Sequence, residues 1–315
     1  RKRAKYKQQA NAERHKRLGR CRDLELKFQV IDIELSLFQQ TLPDQDLQPI
    51  LETAAMLASD KVRGNIRGNI DDENTVFVYR LPVVHNWSHF PDSLKACIDT
   101  LKLKSEKNHI NAQIVIWSED YGIKLELVSD PNEEFKANKP SVADIRQAEL
   151  IDFLKLEGVF FEHSGDALFD LPSKQYSDYF VRIGNLQSRQ RFLSAVFFWT
   201  IENLRTATHI FCDTWSISTT CAIISEFLNL YRRAGSEEKI DQTTSWSFSP
   251  GYLPNNKTAK KLLLEARDLA VRKHGTLLVI SSFYSSGNLE KTISVNLRKA
   301  GDSGDVKIVA IYGAG

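Results

Sequence analysis

The chain has 315 residues, 42% hydrophobic and 26% charged, an ordinary globular composition that argues against wholesale disorder and leaves room for two domains. Its formal net charge of +2, from 42 Lys+Arg against 40 Asp+Glu, hides a division. Residues 1–22 carry ten basic side chains against one acid, Glu13, for +9, and the remaining 32 basic and 39 acidic residues give −7.

The basic arm holds Arg1, Lys2, Arg3, Lys5, Lys7, Arg14, Lys16, Arg17, Arg20 and Arg22, with Tyr6 and His15 interleaved. Such a run reads either as a solvated tail or as a surface drawn to an anionic partner, nucleic acid or an acidic protein. It contains no groove-reading motif, so any nucleic-acid contact should be independent of sequence and steeply weakened by salt. The chain opens on Arg1 and has one methionine, Met56, so it reads as processed or trimmed at its start. Between Leu24 and Phe38 apolar residues alternate, and the parity flips at Val30–Ile31, which predicts a strand with a β-bulge. A helix is expected over Leu47–Val62, a flexible loop over Arg63–Asp72, and strands at Thr75–Val84, Gln113–Trp117 and Ile123–Val128. A further helix should fill Asp92–Lys104. His85 and His89 have helical metal-ligand spacing without a nearby acidic partner, so the pair reads as incidental and no metal site is expected.

Charged residues between Pro131 and Pro140 mark a linker, and a helix follows over Ser141–Leu156. Three later stretches read as strand, loop, helix. The clearest runs from a buried strand, Leu277–Ile280, through a loop, Ser281–Asn288, into a helix from about Leu289 to Lys299 and a parallel strand at Val306–Tyr312. Ser285, Ser286, Gly287 and Asn288 at that helix start read either as a phosphate cradle or as an ordinary serine-capped turn. Ser281 and Ser282 read as ribose contacts or as polar residues at a strand end, and Asp213 as a displaced acid or a helix cap. Trp215 and Trp246 read as base-stacking rings or, more safely, as domain-interface packing. Cys212 and Cys221 read as buried thiols. With Cys21 and Cys97 the cysteines form no C-x-x-C pair, no secretory signal or bilayer-spanning run is visible, and a cytoplasmic setting is expected.

The stretch Val279-Ile280-Ser281-Ser282-Phe283-Tyr284-Ser285-Ser286-Gly287 resembles the signature of the type I phosphoribosyltransferases, an apolar strand, two acids, two spacers and Thr-Thr-Gly. Upstream, Phe169–Phe180 with Arg182, Gly184 and Leu186 is similar to the base-binding hairpin of the orotate branch. The helix Arg189–Leu204 and the stretch His209–Leu228 fall where that family has its first core helix and its pyrophosphate loop. The resemblance covers residue 150 to the end. The strand and helix pattern of 23–131 reads as an α/β accessory domain before the linker (132–140), and the resemblance implies a Rossmann-like, parallel-sheet phosphoribosyltransferase-type domain over 141–315, for an α/β fold throughout. The resemblance also implies a nucleotide or phosphoribosyl pyrophosphate ligand, with Mg2+ only if catalysis survives.

The departures point away from transfer chemistry. Serines replace the paired acids at Ser281 and Ser282, and the pyrophosphate loop reads Asp213-Thr214-Trp215-Ser216-Ile217-Ser218, without glycine or lysine. Pro172 and Lys174 stand where the hairpin has lysine and glycine, and the segment expected to be the catalytic loop, Thr243–Asn256, has no charged residue. A leaving diphosphate needs cations that this chain does not place there. The expectation is therefore a nucleotide-sensing or assembly module within a larger complex, and the resemblance of such degenerate domains to components of bacterial antiviral systems implies a defence role. The alternative is an active transferase or nucleotide hydrolase drawing on Asp213, Asp178 and Glu162. The chain stops just after a predicted core strand, which leaves room for a continuation beyond Gly315.

Overall fold

A computed structural model describes residues 27–32, 75–80, 99, 103, 111–118, 122–127, 141–162, 168–170, 176–177, 179–234, 243–284, 288–299 and 306–313. The basic arm, the helix expected at 47–62, the loop at 63–72, the pair His85 and His89, and the linker at 132–140 lie outside them. So do Asp178, Ser285, Ser286 and Gly287.

The amino-terminal sheet contains β1 (Lys27–Asp32), β2 (Thr75–Arg80), β3 (Asn111–Ser118) and β4 (Gly122–Leu127) in that order, parallel except for the antiparallel β3–β4 pair. The bulge expected at Val30–Ile31 is absent: β1 pairs with β2 without a break from Lys27↔Thr75 to Asp32↔Arg80. Parallel strands commonly carry apolar residues at both parities, so two adjacent apolar positions need no bulge. Within the helix expected at 92–104, the described residues Asp99 and Leu103 are helical.

Helix α1 (Val142–Leu154) begins where the sequence places it, because Ser141 and Asp144 form a reciprocal capping box. It packs on β1 and β4. Its buried Glu149 meets Arg80 of β2 at 3.3 Å and accepts the Trp199 indole N–H at 2.6 Å, while the Arg80 guanidinium lies over the Phe198 ring. Val78 and Val115 of the first sheet accordingly share one core with residues of the second half.

Two short antiparallel pairs follow: β5 (Phe160–Glu162) with β8 (Tyr179–Val181), and β6 (Phe169–Asp170) with β7 (Tyr176–Ser177). A 3-10 turn (Ile183–Leu186) leads to α2 (Gln190–Leu204), buried from Phe192 through Ile201 except at Ser194.

The second sheet is wholly parallel. It contains β9 (Ala207–Cys212), β10 (Ser245–Phe248), β11 (Thr276–Tyr284) and β12 (Val306–Gly313), joined through α3 (Ser218–Ala234), α4 (Lys257–Arg272) and α5 (Asn288–Lys299). The order β10-β9-β11-β12 places β9, the first strand, inside the sheet. Side chains alternate between two covered faces. Ile210, Cys212, Leu278 and Ile280 pack with α2 and α3, whereas Phe211, Leu277 and Val279 pack with α4 and α5. Burying each Val, Leu, Ile or Phe contributes about 1.5–3 kcal/mol, so both helical layers are held by the pleat. This is a Rossmann-like α/β arrangement.

Two expectations need correction. The loop expected at Ser281–Asn288 begins later, because β11 pairs with β12 as far as Tyr284↔Gly313. The segment Thr243–Asn256, expected as a catalytic loop, supplies β10, an edge strand paired with β9 from Ser245↔His209 to Phe248↔Cys212. Its start is held from α3, one helical turn after another. Ser225 and Asn229 donate to the Thr244 carbonyl, Asn229 Oδ1 accepts the Thr244 N–H at 2.7 Å, and Arg232 Nη1 donates to Thr244 Oγ1 at 2.6 Å.

Candidate functional site

The chain runs from β9 through α3 to its neighbour β10, then crosses back over β9 through α4 to β11 on the other side, so the strand order reverses beside β9. In doubly wound sheets that reversal opens a crevice at the carboxyl ends of the strands. Three strand ends meet there with buried polar residues: Asp213 after β9, Ser249 after β10, and Ser281 in β11.

Alternation puts Asp213 on the side of Phe211, and Ser281 on the side of Val279, the α4/α5 face. Ser281 Oγ donates to Asp213 Oδ2 at 2.6 Å, and the Ser282 N–H donates to Oδ1 at 3.3 Å. The Asp213 N–H donates to the Ile280 carbonyl at 3.1 Å, locking β9 to β11 at this level. On the other flank the Ser249 N–H donates to the Cys212 carbonyl, and Ser249 Oγ donates to the Gly251 carbonyl. Burial pushes the Asp213 carboxyl up from 3.8 to about 6 despite hydrogen bonds from Ser281, Ser282 and Thr214 that act the other way. Burial and the Asp213 charge together raise the Tyr252 phenol, which places Tyr252 within electrostatic reach of the acid.

No protein-family model and no curated protein matches this chain. Its chemistry is read from its own side chains.

The structure brings Asp213, Ser281 and Ser282 together. The helix-cap role weighed for Asp213 is not what it does, because its carboxylate reaches across to β11 and the following 3-10 turn (Trp215–Ile217) has no side-chain cap. Glu162 is elsewhere, exposed at the end of β5. Asn288 is the first residue of α5. Asp178, Ser285, Ser286, Gly287 and the ten basic residues of the arm fall outside the described residues. Trp215 and Trp246, expected as interface packing, are 64% and 38% exposed. Cys212 and Cys221 are free and buried.

Sequence reasoning missed Ser249 and Tyr252, which it placed in an uncharged loop. The available signal was the position of Ser249-Pro250-Gly251-Tyr252 directly after the alternating Ser245–Phe248, the end of a short strand and so the level at which sites gather. Among the described residues no three His, Cys, Asp or Glu side chains cluster, and no helix is long and apolar enough to cross a membrane. These strand ends thus hold one buried carboxyl, raised to about 6, flanked by hydroxyls. That set can donate to and accept from ligand hydroxyl groups.

Proposed function

We propose that the chain is a degenerate phosphoribosyltransferase-like module that binds the ribose portion of a nucleotide or ribose phosphate at the crevice of its parallel sheet. The observation that carries this reading is the buried Asp213–Ser281–Ser282 cluster at the strand reversal. A carboxyl that accepts from Ser281, Ser282 and Thr214 and keeps a further lone pair suits a sugar hydroxyl. The two serines stand where the resembled family has ribose-binding acids. On this reading the domain senses a nucleotide within a larger assembly, and the basic arm contacts nucleic acid or an acidic protein, as in antiviral systems. Calorimetric titration with phosphoribosyl pyrophosphate and common nucleotides tests it. Saturable binding that Asp213→Ala weakens about tenfold or more is expected, and the absence of binding by any of them overturns it.

One observation favours a second reading. An acid near pH 6 suits general acid–base work, which would make Asp213 the proton carrier of a nucleotide hydrolase or transferase. Turnover of a nucleotide panel that disappears in Asp213→Asn supports it; no turnover by the wild-type chain removes it.

A further inference from the structure

Among the described residues β10 lies at one margin of the second sheet and pairs only with β9. Alternate residues of Ser245–Phe248 therefore turn backbone N–H and C=O groups outward, and no further backbone bond joins them among the described residues. Proteins usually blunt such an edge with a charge, a proline or a bulge. This one has none of them: residues 243–256 carry no charge, the pairing with β9 is unbroken, and Pro250 comes only after the strand. The edge is nevertheless rigid, because α3 holds Thr244 and Lys273 Nζ donates to the Thr243 carbonyl at 2.8 Å. Its two faces differ. Ser245 and Ser247 turn to His209, each 2.8 Å from a ring nitrogen. Phe248 packs against the core on the α2/α3 side, and Trp246, two residues earlier, shares that side. The Trp246 ring lies 6.1 Å from Phe248, and Trp215 meets Phe248 edge to face at 4.6 Å. Trp246 and Trp215 remain 38% and 64% exposed, so the margin of the sheet carries rings that the fold leaves in water.

We propose that β10 is the contact of a two-fold dimer, paired antiparallel with β10 of a second copy so that the two sheets become one. The occupant follows from the symmetry of the strand. Ser245-Trp246-Ser247-Phe248-Ser249 alternates hydroxyl and ring in the same order from either end. A two-fold axis at Ser247 sets that residue opposite itself and sets Trp246 opposite Phe248 of the second copy, with every ring on one face. Trp215, edge-on to Phe248, then extends the ring surface towards Trp246 of the second copy. Identical edges also bring like charges together, and a segment without charge meets itself without that repulsion. A foreign strand would require neither the palindrome nor the neutrality. The contact is a strand of four residues with its rings, at the small end of interfaces, below about 1,200 Å2, so association in the micromolar range is expected. The rings lie on the sheet face opposite Asp213, so the dimer and the ribose-binding reading stand or fall separately.

Sedimentation equilibrium of the full chain over about 1–100 µM tests the proposal. A reversible monomer–dimer equilibrium is expected, and Trp246→Lys, which sets a charge among the rings, should weaken it about tenfold or more. Trp215→Ala should weaken it about threefold or more. Because Trp215 is mostly exposed, that variant keeps its core and decides the matter if circular dichroism shows Trp246→Lys unfolded. Ser247→Cys places a thiol on the axis, and oxidised glutathione should convert this variant into a disulfide-linked dimer well beyond the wild-type level on a non-reducing gel. Three results overturn the proposal: a chain that stays monomeric across the range, a dimer that either folded tryptophan variant leaves unchanged, or a dimer in which Ser247→Cys gains no cross-link. A monomeric chain that instead captures a labelled peptide of alternating Thr and Val assigns the edge to a foreign strand and overturns it equally.

Discussion

Replacing Asp213 by Asn should make the protein more stable at neutral and alkaline pH. The folded protein holds the Asp213 proton more tightly than the unfolded chain does, because burial raises the carboxyl from 3.8 to about 6. Stability tied to that proton is complete below pH 3.8 and is lost as pH rises through about 6. At 1.36 kcal/mol per pKa unit, the ionised acid costs about 3 kcal/mol at pH 8. The cost shrinks to about 1 kcal/mol at pH 4.5, where the unfolded carboxyl is mostly ionised and the folded one is not. Asparagine keeps the geometry, since its carbonyl accepts the Ser282 N–H and its amide donates to Ser281 Oγ once that hydroxyl turns. Urea unfolding of both proteins at the two pH values measures the difference. A gain of equal size at both, or a loss at pH 8, would refute the claim that an ionised carboxylate is held there against its hydration. A residue that weakens the fold and lies at the carboxyl ends of the strands where their order reverses is the pattern expected of a functional group.

Three further outcomes follow from the same packing. His209 is buried between Ser245 and Ser247, each 2.8 Å from a ring nitrogen, and burial with Lys273 lowers it to about 4. Stability carried by the neutral ring is complete above pH 6.5 and lost as pH falls through about 4, opposing the Asp213 effect, so an Asp213→Asn protein should show a steeper acid loss than the wild type. Glu149→Ala leaves Arg80 buried without its carboxylate and Trp199 without its acceptor, and should cost about 3–5 kcal/mol by chemical denaturation. His274 has φ 51° at the end of α4, where Gly275 N–H bonds Ala270 and His274 N–H bonds Val271, so His274→Gly should raise stability by about 1 kcal/mol in the same assay.

The elements most legible in the sequence were those with long, unmixed patterns. Leu277–Ile280 is four apolar residues in a row, the signature of a strand covered on both faces, and the helix and parallel strand after it were placed to within a residue. Residues 245–248 were not legible as a strand, because a short edge alternating Ser with aromatic rings has no apolar run. What holds it in place is Ser225, Asn229 and Arg232 on a helix earlier in the chain. Asp213 and Ser281 were each suspected, but their contact spans 68 positions and exists only because β11 lies next to β9. That adjacency is a property of strand order, which local pattern does not contain. The exposure of Trp215 was hidden for the same reason: a turn residue takes its surroundings from whichever strand end happens to lie beside it.

The meeting of Glu149 with both Arg80 and Trp199 has a consequence for any attempt to divide the molecule. A fragment beginning at Ser141 would keep helix α1 but lose the cation that faces it, leaving a carboxylate and the flank of α2 turned towards water. The amino-terminal sheet alone would lose the Glu149 carboxylate that meets its Arg80. Each half thus acts as an intramolecular chaperone for the other's charge, and the two sheets should melt in one transition rather than two.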